Sequence, residues 1–479
     1  MAGAENCAAC QFARGELSLP AVADGAMKSR IIYGLLAFAL ALNLLAGAKI
    51  FRQATGAAAH KSDAPLDLEL FNLVLEHVHS DYVDGAKVNN QDLLNGALKG
   101  MVNTLDPHSE FLPPTKYKAL QDDTQGQFGG VGIVITIKDG QLTVVTPMED
   151  TPGFRAGILA GDRLVKIDGH NSVKFTQDEA VKYLRGEPDS VVTVTVFRPS
   201  SGVTKELKVT RAVISLTMVK DVNGKKEFAL GADKIGYARL IQFSEKTAAE
   251  LEVALNKLKA QGMRAMILDL RENPGGLLEQ AVAVSEKFLP RGQLVVSTEG
   301  PNPINNAVHK AEGHGDDLVD ISGAPLPLVI LVNTGTASAA EIVTGCLQDA
   351  RRGTVILGEK TFGKGSVQNI IPLDTGAALK LTVAKYYTPS HKVIHEHGIE
   401  PDIVVPTTPE EERDLMLKRS PGGVDTLEEK DRERVRNTRD TQLERATDLL
   451  KGLMLYAQME SKEAAIEKLA VKKSSANSQ

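Results

Sequence analysis

Three short segments carry residue types whose spacing suits covalent chemistry. The first, Thr334-Gly335-Thr336-Ala337-Ser338-Ala339-Ala340-Glu341-Ile342, directly follows the apolar run Leu328 to Val332. A serine at such a strand-to-helix turn has its hydroxyl beside the free N–H groups of the helix start, which can bind a developing oxyanion. Ser338-x-x-Glu341 is also a capping box, which needs no catalysis, and taken alone the segment favours that reading. The second, Gly358-Glu359-Lys360-Thr361-Phe362-Gly363-Lys364-Gly365-Ser366-Val367-Gln368, nearly completes a phosphate-binding P-loop. The position after the lysine must supply the hydroxyl that holds Mg²⁺, and here it is Gly365, so nucleotide binding is disfavoured. A lysine enclosed by glycines has another use: once desolvated it loses its proton near neutral pH and can act as general base to a serine. Gln368, four residues on, can hydrogen-bond the amine. The plainer alternative is a solvated lysine in a flexible loop. The third segment, Leu268-Asp269-Leu270-Arg271-Glu272-Asn273-Pro274-Gly275-Gly276, ends another apolar run in a glycine pair able to expose backbone N–H groups, or is simply a strand-ending turn.

Positioning these segments requires a layered scaffold. Ile235 to Phe243 reads as a strand, Ser244 to Ala260 as a helix, and Ala265 to Leu268 and Leu328 to Val332 as buried strands. A helix from Ser338 and strands at Val355 to Leu357 and Leu379 to Tyr387 continue the alternation, which implies an α/β core. Upstream, Val131, Ile133, Ile135 and Ile137 alternate with other residues, Asp139-Gly140 makes a hairpin turn, and Leu142, Val144 and Val145 follow. With strands at Leu164 to Ile167 and Val191 to Phe197 and a helix from Gln177 to Arg185, this is a compact β-rich module ending near Arg211. Leu66, Leu70, Leu73, Val74 and Val78 recur at helical spacing, as do residues from Leu93 to Val102. These short helices have little core of their own and need another domain or subunit to pack on. Beyond Pro406 the mixed-sign charge run from Glu410 to Arg445 reads as solvated helix.

Composition narrows the classes. The 479 residues carry a formal charge of −6, 4% aromatics and no Trp, which disfavours both a basic nucleic-acid footprint and a base-stacking platform. Three cysteines exclude a disulfide framework: Cys7 and Cys10 form a lone C-x-x-C, and Cys346 lies in an apolar helical stretch. Ile31 to Ala48 is apolar and uncharged, with Lys28 and Arg30 before it and Ala46-Gly47-Ala48 at its end. It reads as an export segment, a signal or, by a slight preference, an inner-membrane anchor, with Met27 a natural start for it. Either reading exports the remainder.

Together and in this order, the three segments closely resemble the carboxyl-terminal processing peptidases, tail-specific serine proteases with a Ser-Lys dyad. The likeness extends to Gly96 through Pro114, including Leu105-Asp106-Pro107-His108-Ser109, to Ile235-Gly236-Tyr237 and to Gly398-Ile399-Glu400-Pro401-Asp402. It implies Ser338 as nucleophile, Lys364 as general base and Gln368 as the group that positions the lysine. The oxyanion hole would join the N–H of Ala339 to that of Gly275 or Gly276. No metal, nucleotide or other cofactor is implied. Gly129-Gly130-Val131-Gly132-Ile133 resembles the carboxylate-binding loop of PDZ domains, where consecutive N–H groups capture a peptide C-terminus and the peptide adds a strand. Gly130, Val131, Gly132 and Ile133 would then bind the tail, and Arg185 would couple this domain to the protease.

The resemblance implies an α/β protease core of the ClpP/crotonase-like layered type, an inserted β-rich PDZ domain, and helical N- and C-terminal segments. The expected boundaries are 1–52 for the extension and export segment, 53–120 for a linker and helical arm, 121–212 for the PDZ domain, 213–406 for the core and 407–479 for the charged tail. Partners would be exported proteins with unstructured C-terminal tails, in the periplasm or cell envelope, and the helical arm suggests a homodimer. The alternative is an inactive PDZ scaffold on a dead protease body. Three features depart from the family pattern: Ala340 replaces a frequent second serine, the Asp349 to Gly353 link is one residue longer, and His391, His395 and His397 enrich one turn. Their spacing supports no zinc site.

Overall fold

In the computed structural model, residues 68–138, 140–148, 150–313, 319, 325–350, 353–419, 424 and 427–476 are described. The apolar segment 31–48, Cys7, Cys10, the linker after it and the start at Met27 lie outside the described residues, as do Asp139, Arg351 and Arg352. Among the described residues no helix is long and apolar enough to cross a membrane.

The chain divides into two compact units, residues 1–89 and 90–479. In the first, α1 (Leu68–Asp81) buries none of its residues, and Leu70, Phe71, Leu73 and Val74 are exposed. The second unit opens with α2 (Asn90–Asn103), β1 (Glu110–Leu112) and α3 (Pro114–Gln125). Val102 of α2 packs with Phe111 and Ala377, which anchors this helix to its own unit. Pro114 starts α3, and Gly126 at φ 65° ends it in the left-handed conformation glycine tolerates best.

The β-rich module is entered through β2 (Gln127–Gly130) and left through β9 (Ala212–Ser215), which pair antiparallel. Between them lie β3 (Ile133–Lys138), β4 (Gln141–Pro147), the single turn α4 (Pro152–Arg155), β5 (Arg163–Ile167), β6 (His170–Asn171), α5 (Gln177–Leu184), β7 (Val191–Arg198) and β8 (Val203–Thr210). Its sheet runs β3-β4-β5-β7-β8, which leaves β3 at an edge. Val144, Ile158, Ile167, Ala180, Val192, Val194 and Val196 fill its separate core. Thr176 and Glu179 form a complete capping box at the start of α5.

Next come β10 (Val219–Lys220), β11 (Ile235–Leu240), α6 (Thr247–Ala260), β12 (Ala265–Asp269), α7 (Leu278–Glu286), β13 (Leu294–Glu299) and β14 (Ala307–Lys310). They are followed by β15 (Leu328–Val332), α8 (Ala339–Ala350), β16 (Thr354–Gly358), β17 (Ser366–Pro372), β18 (Ala378–Tyr387) and β19 (Ile403–Val404). The tail holds α9 (Pro409–Arg419), α10 (Glu429–Asn437) and α11 (Thr441–Ala476). One sheet has the order β10-β11-β12-β15-β16-β19, parallel from β11 onward.

All five residues of β12 and of β15 are buried: the apolar runs 265–268 and 328–332 because both faces of the parallel sheet are covered, and Asp269 because it is paired with Arg271. Met266, Leu268 and Ile330 pack under α6, α7 and α8, while Ile267, Val329 and Leu331 pack against Ala446 and Leu450 of α11. Each such Leu, Ile or Val is worth roughly 1.5–3 kcal/mol of burial. The charged tail therefore supplies one face of the core as well as solvated surface. A second, antiparallel sheet is built around β18, which carries β17 along one edge and β1 and β13 at opposite ends of the other.

Candidate active site

The loops after β12, β15 and β16 converge at the carboxyl ends of the parallel strands, where open α/β sheets bind ligands. Buried hydrogen bonds stitch them together. Ala337 N–H donates to Asn273 O at 2.9 Å, the Thr336 hydroxyl to Leu270 O at 2.9 Å, and Phe362 N–H to Thr336 O at 3.0 Å. Ser338 sits at the head of α8 with φ 55°, a left-handed conformation costly for a residue with a side chain.

Glu341 holds the assembly at its centre. Fully buried, it accepts the N–H of Ser338 and of Lys364 at 2.8 Å each, the N–H of Gly363 at 2.7 Å and the Thr361 hydroxyl at 2.5 Å. Burial pushes its carboxyl up, against the pull of these four donors. The Ser338–Glu341 capping box is thus only half used at the helix: the glutamate reaches back to Ser338, then across to the lysine segment. The buried Tyr386 phenol lines the same cleft as Ser338, and its O–H donates to Lys364 O.

Ser338, Lys364 and Gln368 all line one cleft of about 700 Å³, with Gly276, Ala339 and Tyr117 of α3 among its other walls. The Lys364 amine is partly buried, and desolvation, with repulsion from Lys380, lowers its pKa against the opposing pull of Glu341. Gln368 directs its Nε2 to Ser366 Oγ at 2.8 Å, Ser366 O at 3.2 Å and Thr382 Oγ1 at 3.3 Å. His108 lies nearby, its pKa lowered by burial and by the charge of Lys364.

The two glycines differ. Gly275, at φ 97°, stands so close to Ser338 that an added Cβ would meet the serine Cβ at 2.7 Å, and its N–H is taken by Asn273 Oδ1 at 2.9 Å. Among the described residues the N–H groups of Gly276 and Ala339 have no acceptor. Arg271, in the same motif, turns away from the cleft: it is buried against Asp269 at 2.6 Å and Asp440 at 2.8 Å, tying the loop to the start of α11.

Glu341 was visible in the sequence only as a helix cap. Nothing in the local pattern marked Tyr386, an ordinary strand residue, whose place follows from the pairing of β17 with β18. The three histidines of the 391–397 turn are dispersed: His391 pairs with Glu299 at 3.0 Å, His395 lies by Gly365, and His397 lines another cleft. That cleft, about 880 Å³, lies beyond the end of α8, and its charges are paired as Lys360–Glu400 and Lys392–Asp349.

In the β-rich module, Gly132 has φ 72°, and Val131 O and Gly132 O accept from Gly153 N and Met148 N at 2.7 and 2.9 Å. The N–H groups of Val131 and Gly132 have no acceptor among the described residues. Gly130 closes β2 and Ile133 opens β3. Arg185 caps α5, stacks over Phe128 at 4.3 Å and faces Asp123 of α3 at 3.8 Å. It therefore links the module to a helix that lines the Ser338 cleft.

Residues 234–405 match the profile of peptidase family S41, and residues 143–198 that of a PDZ domain. A carboxy-terminal-processing protease of Bartonella bacilliformis is 42% identical over 342 residues, which cover 71% of this chain and 75% of that one. A carboxyl-terminal-processing protease of Picosynechococcus sp. is 39% identical over 308 residues, 64% of this chain and 70% of that one. Among solved structures, the photosystem II D1 C-terminal processing protease is 30% identical, covers 74% of this chain and 92% of its own, and superposes with a TM-score of 0.40.

Proposed function

The chain belongs to the carboxyl-terminal processing proteases of peptidase family S41 and is a serine-type peptidase with a PDZ domain, and from that premise we propose that it cleaves exported proteins near unstructured C-terminal tails with a Ser338–Lys364 dyad. The observation that carries the reading is the single buried Glu341 carboxylate. It takes the N–H of both Ser338 and Lys364 and so sets the two residues, from separate loops, on one cleft.

In this reading Lys364 enters as the neutral amine and takes the Ser338 proton as Oγ attacks the scissile carbonyl. The oxyanion is received by the N–H of Ala339 and of Gly276. Gly275, its own N–H spent on Asn273, lets the two backbones approach. The ammonium of Lys364 then protonates the leaving amine, and the recovered base activates water to hydrolyse the acyl-enzyme. Gln368 positions the lysine.

The PDZ domain would receive the tail on the N–H groups around Gly130 to Ile133 and along the free edge of β3, with Arg185 relaying the arrival to α3. The layered core is assigned to the ClpP/crotonase type, and the compartment to the periplasm or cell envelope. An inactive scaffold is the weaker reading, because serine, lysine and glutamine are all retained on one cleft. The test incubates the purified chain with a protein ending in an apolar tail. Cleavage is expected from the native sequence and not from Ser338→Ala or Lys364→Ala. Cleavage that persists in both variants overturns the dyad.

A further inference from the structure

The turn Asp106 to Ser109 has no part in the chemistry above, yet it reaches Gln368 through one residue. β1 follows the turn directly and pairs with β18 at Glu110–Lys380, which brings the turn alongside Thr382. Thr382 N–H donates to Ser109 Oγ at 3.0 Å, and Thr382 Oγ1 donates to Asp106 Oδ1 at 3.1 Å. On its other side Thr382 is the cross-strand partner of Gln368, at a register shift between Val367 and Gln368. Such bulges re-aim side chains beside active sites. Here Gln368 Nε2 meets Thr382 Oγ1 at 3.3 Å.

The direction of this chain follows from donor counts. A hydroxyl has one hydrogen, and a carboxylate can only accept. Asp106 is held as a carboxylate: burial raises its pKa, but bonds from the Ser109 hydroxyl, the N–H groups of His108 and Ser109, and Thr382 bring it below the ordinary value. Its hydrogen given to Asp106, Thr382 meets Gln368 only as an acceptor, and so takes the amide nitrogen. Ser366 O, also an acceptor, reinforces the same orientation.

We propose that Asp106 and Thr382 are positioning residues that fix the polarity of the Gln368 amide, so that its carbonyl oxygen and not its nitrogen is offered to Lys364. This rests on the reading of Lys364 as general base. A neutral lysine has two N–H groups and one lone pair. An acceptor beside it engages an N–H and leaves the lone pair to the Ser338 hydroxyl. A flipped amide would donate to that lone pair and compete with the serine.

The test measures kcat/KM against pH for the full chain with a tailed protein substrate, in the native sequence and in Thr382→Val, Thr382→Ser and Asp106→Asn, with thermal unfolding in parallel. Thr382→Val removes one acceptor of the amide nitrogen and leaves those of Ser366, and a loss of up to roughly a hundredfold is expected, the scale of a misplaced catalytic group. Its acid-side limb, set by Lys364, is expected to move to lower pH, since replacing a facing acceptor by a donor disfavours the ammonium form. Asp106→Asn shifts in the same direction by less, and Thr382→Ser restores the native profile. A Thr382→Val enzyme whose limb stays in place overturns the proposal even if its plateau falls, because a purely structural defect lowers the plateau alone. Ser338→Ala and Lys364→Ala run alongside: if both remain active, the dyad itself fails, whereas if both are inactive and Thr382→Val keeps the native limb, only the polarity argument fails.

Discussion

The cleft and the loop at Gly130 to Ile133, the proposed tail site, both offer backbone N–H groups through glycine-bearing turns, but they hold those turns by different means. In the cleft the turns are bound by buried polar side chains: Glu341 by four donors, Asn273 to Gly275 N and Leu240 O, Thr336 to Leu270 O. In the PDZ loop, Val131 and Gly132 are held by backbone bonds, the Thr151 hydroxyl at 2.9 Å from Gly132 O, and the apolar packing of Val131. Among the described residues no strand pairs with the outer edge of β3, where Gln177 Nε2 donates to Ile135 O at 3.2 Å. A site that stabilises a transient charge needs donors that do not move when charge appears. A site that accepts a strand needs backbone left unpaired.

Four experiments test that contrast. The largest effect is expected from Ser338→Ala and Lys364→Ala, which lower hydrolysis by about 10³-fold or more. Calorimetric binding of a C-terminal tail peptide should not change, and a parallel loss of binding would mean the two sites are not separable. The pH profile comes next. Burial and Lys380 lower the Lys364 pKa, and in the proposed dyad the neutral amine is the active form. Activity is therefore lost as pH falls through that pKa, about tenfold per unit, along a limb below the ordinary lysine value of about 10.4. A limb at or above that value removes the desolvated base.

Glu341→Gln places an amide NH₂ among N–H donors and should cost about 1–3 kcal/mol of stability, read by denaturant melts, with hydrolysis falling more than tail binding. An equal fall in both would show that the polar network serves the whole chain rather than the cleft. The smallest effect is expected from Gly132→Ala. The added Cβ lies 2.3 Å from Thr151 Cβ, and φ 72° disfavours any side chain, so tail binding weakens by the equivalent of about 1–2 kcal/mol. Cleavage of a short peptide without a C-terminal anchor should be unaffected. If it falls equally, the loop serves the protease fold and not recognition.

Much of the fold was legible because its signals are local. The uninterrupted apolar runs at 265–268 and 328–332 form the two central parallel strands, and the alternation from Val131 to Val145 holds the β3–β4 hairpin. The strand at 235 ends at Leu240 rather than Phe243, and its following helix begins at Thr247 rather than Ser244, since Ser244 and Thr247 bond to each other ahead of the first turn. The charge run from Glu410 to Arg445 reads as solvated helix, yet Leu415 and Val435 within it are buried, and just beyond it Ala446 and Leu450 are fully buried against the sheet; sparse apolar residues reveal their role only when the face opposite them is known.

The site divides along the same line. By itself the sequence determined the backbone chemistry: a serine at a strand-to-helix turn, a lysine between glycines, and a glycine where a P-loop needs a hydroxyl. Only the tertiary structure decided which groups serve those residues. It spent the Gly275 N–H on Asn273 and, among the described residues, left that of Gly276 without an acceptor, turned Arg271 toward Asp440, set Tyr386 on the Ser338 cleft and brought Asp106 to Thr382, 276 positions apart. The physical reason is that backbone geometry follows from neighbours along the chain, whereas a buried hydrogen bond is chosen by whatever donor or acceptor the packed sheets place opposite it.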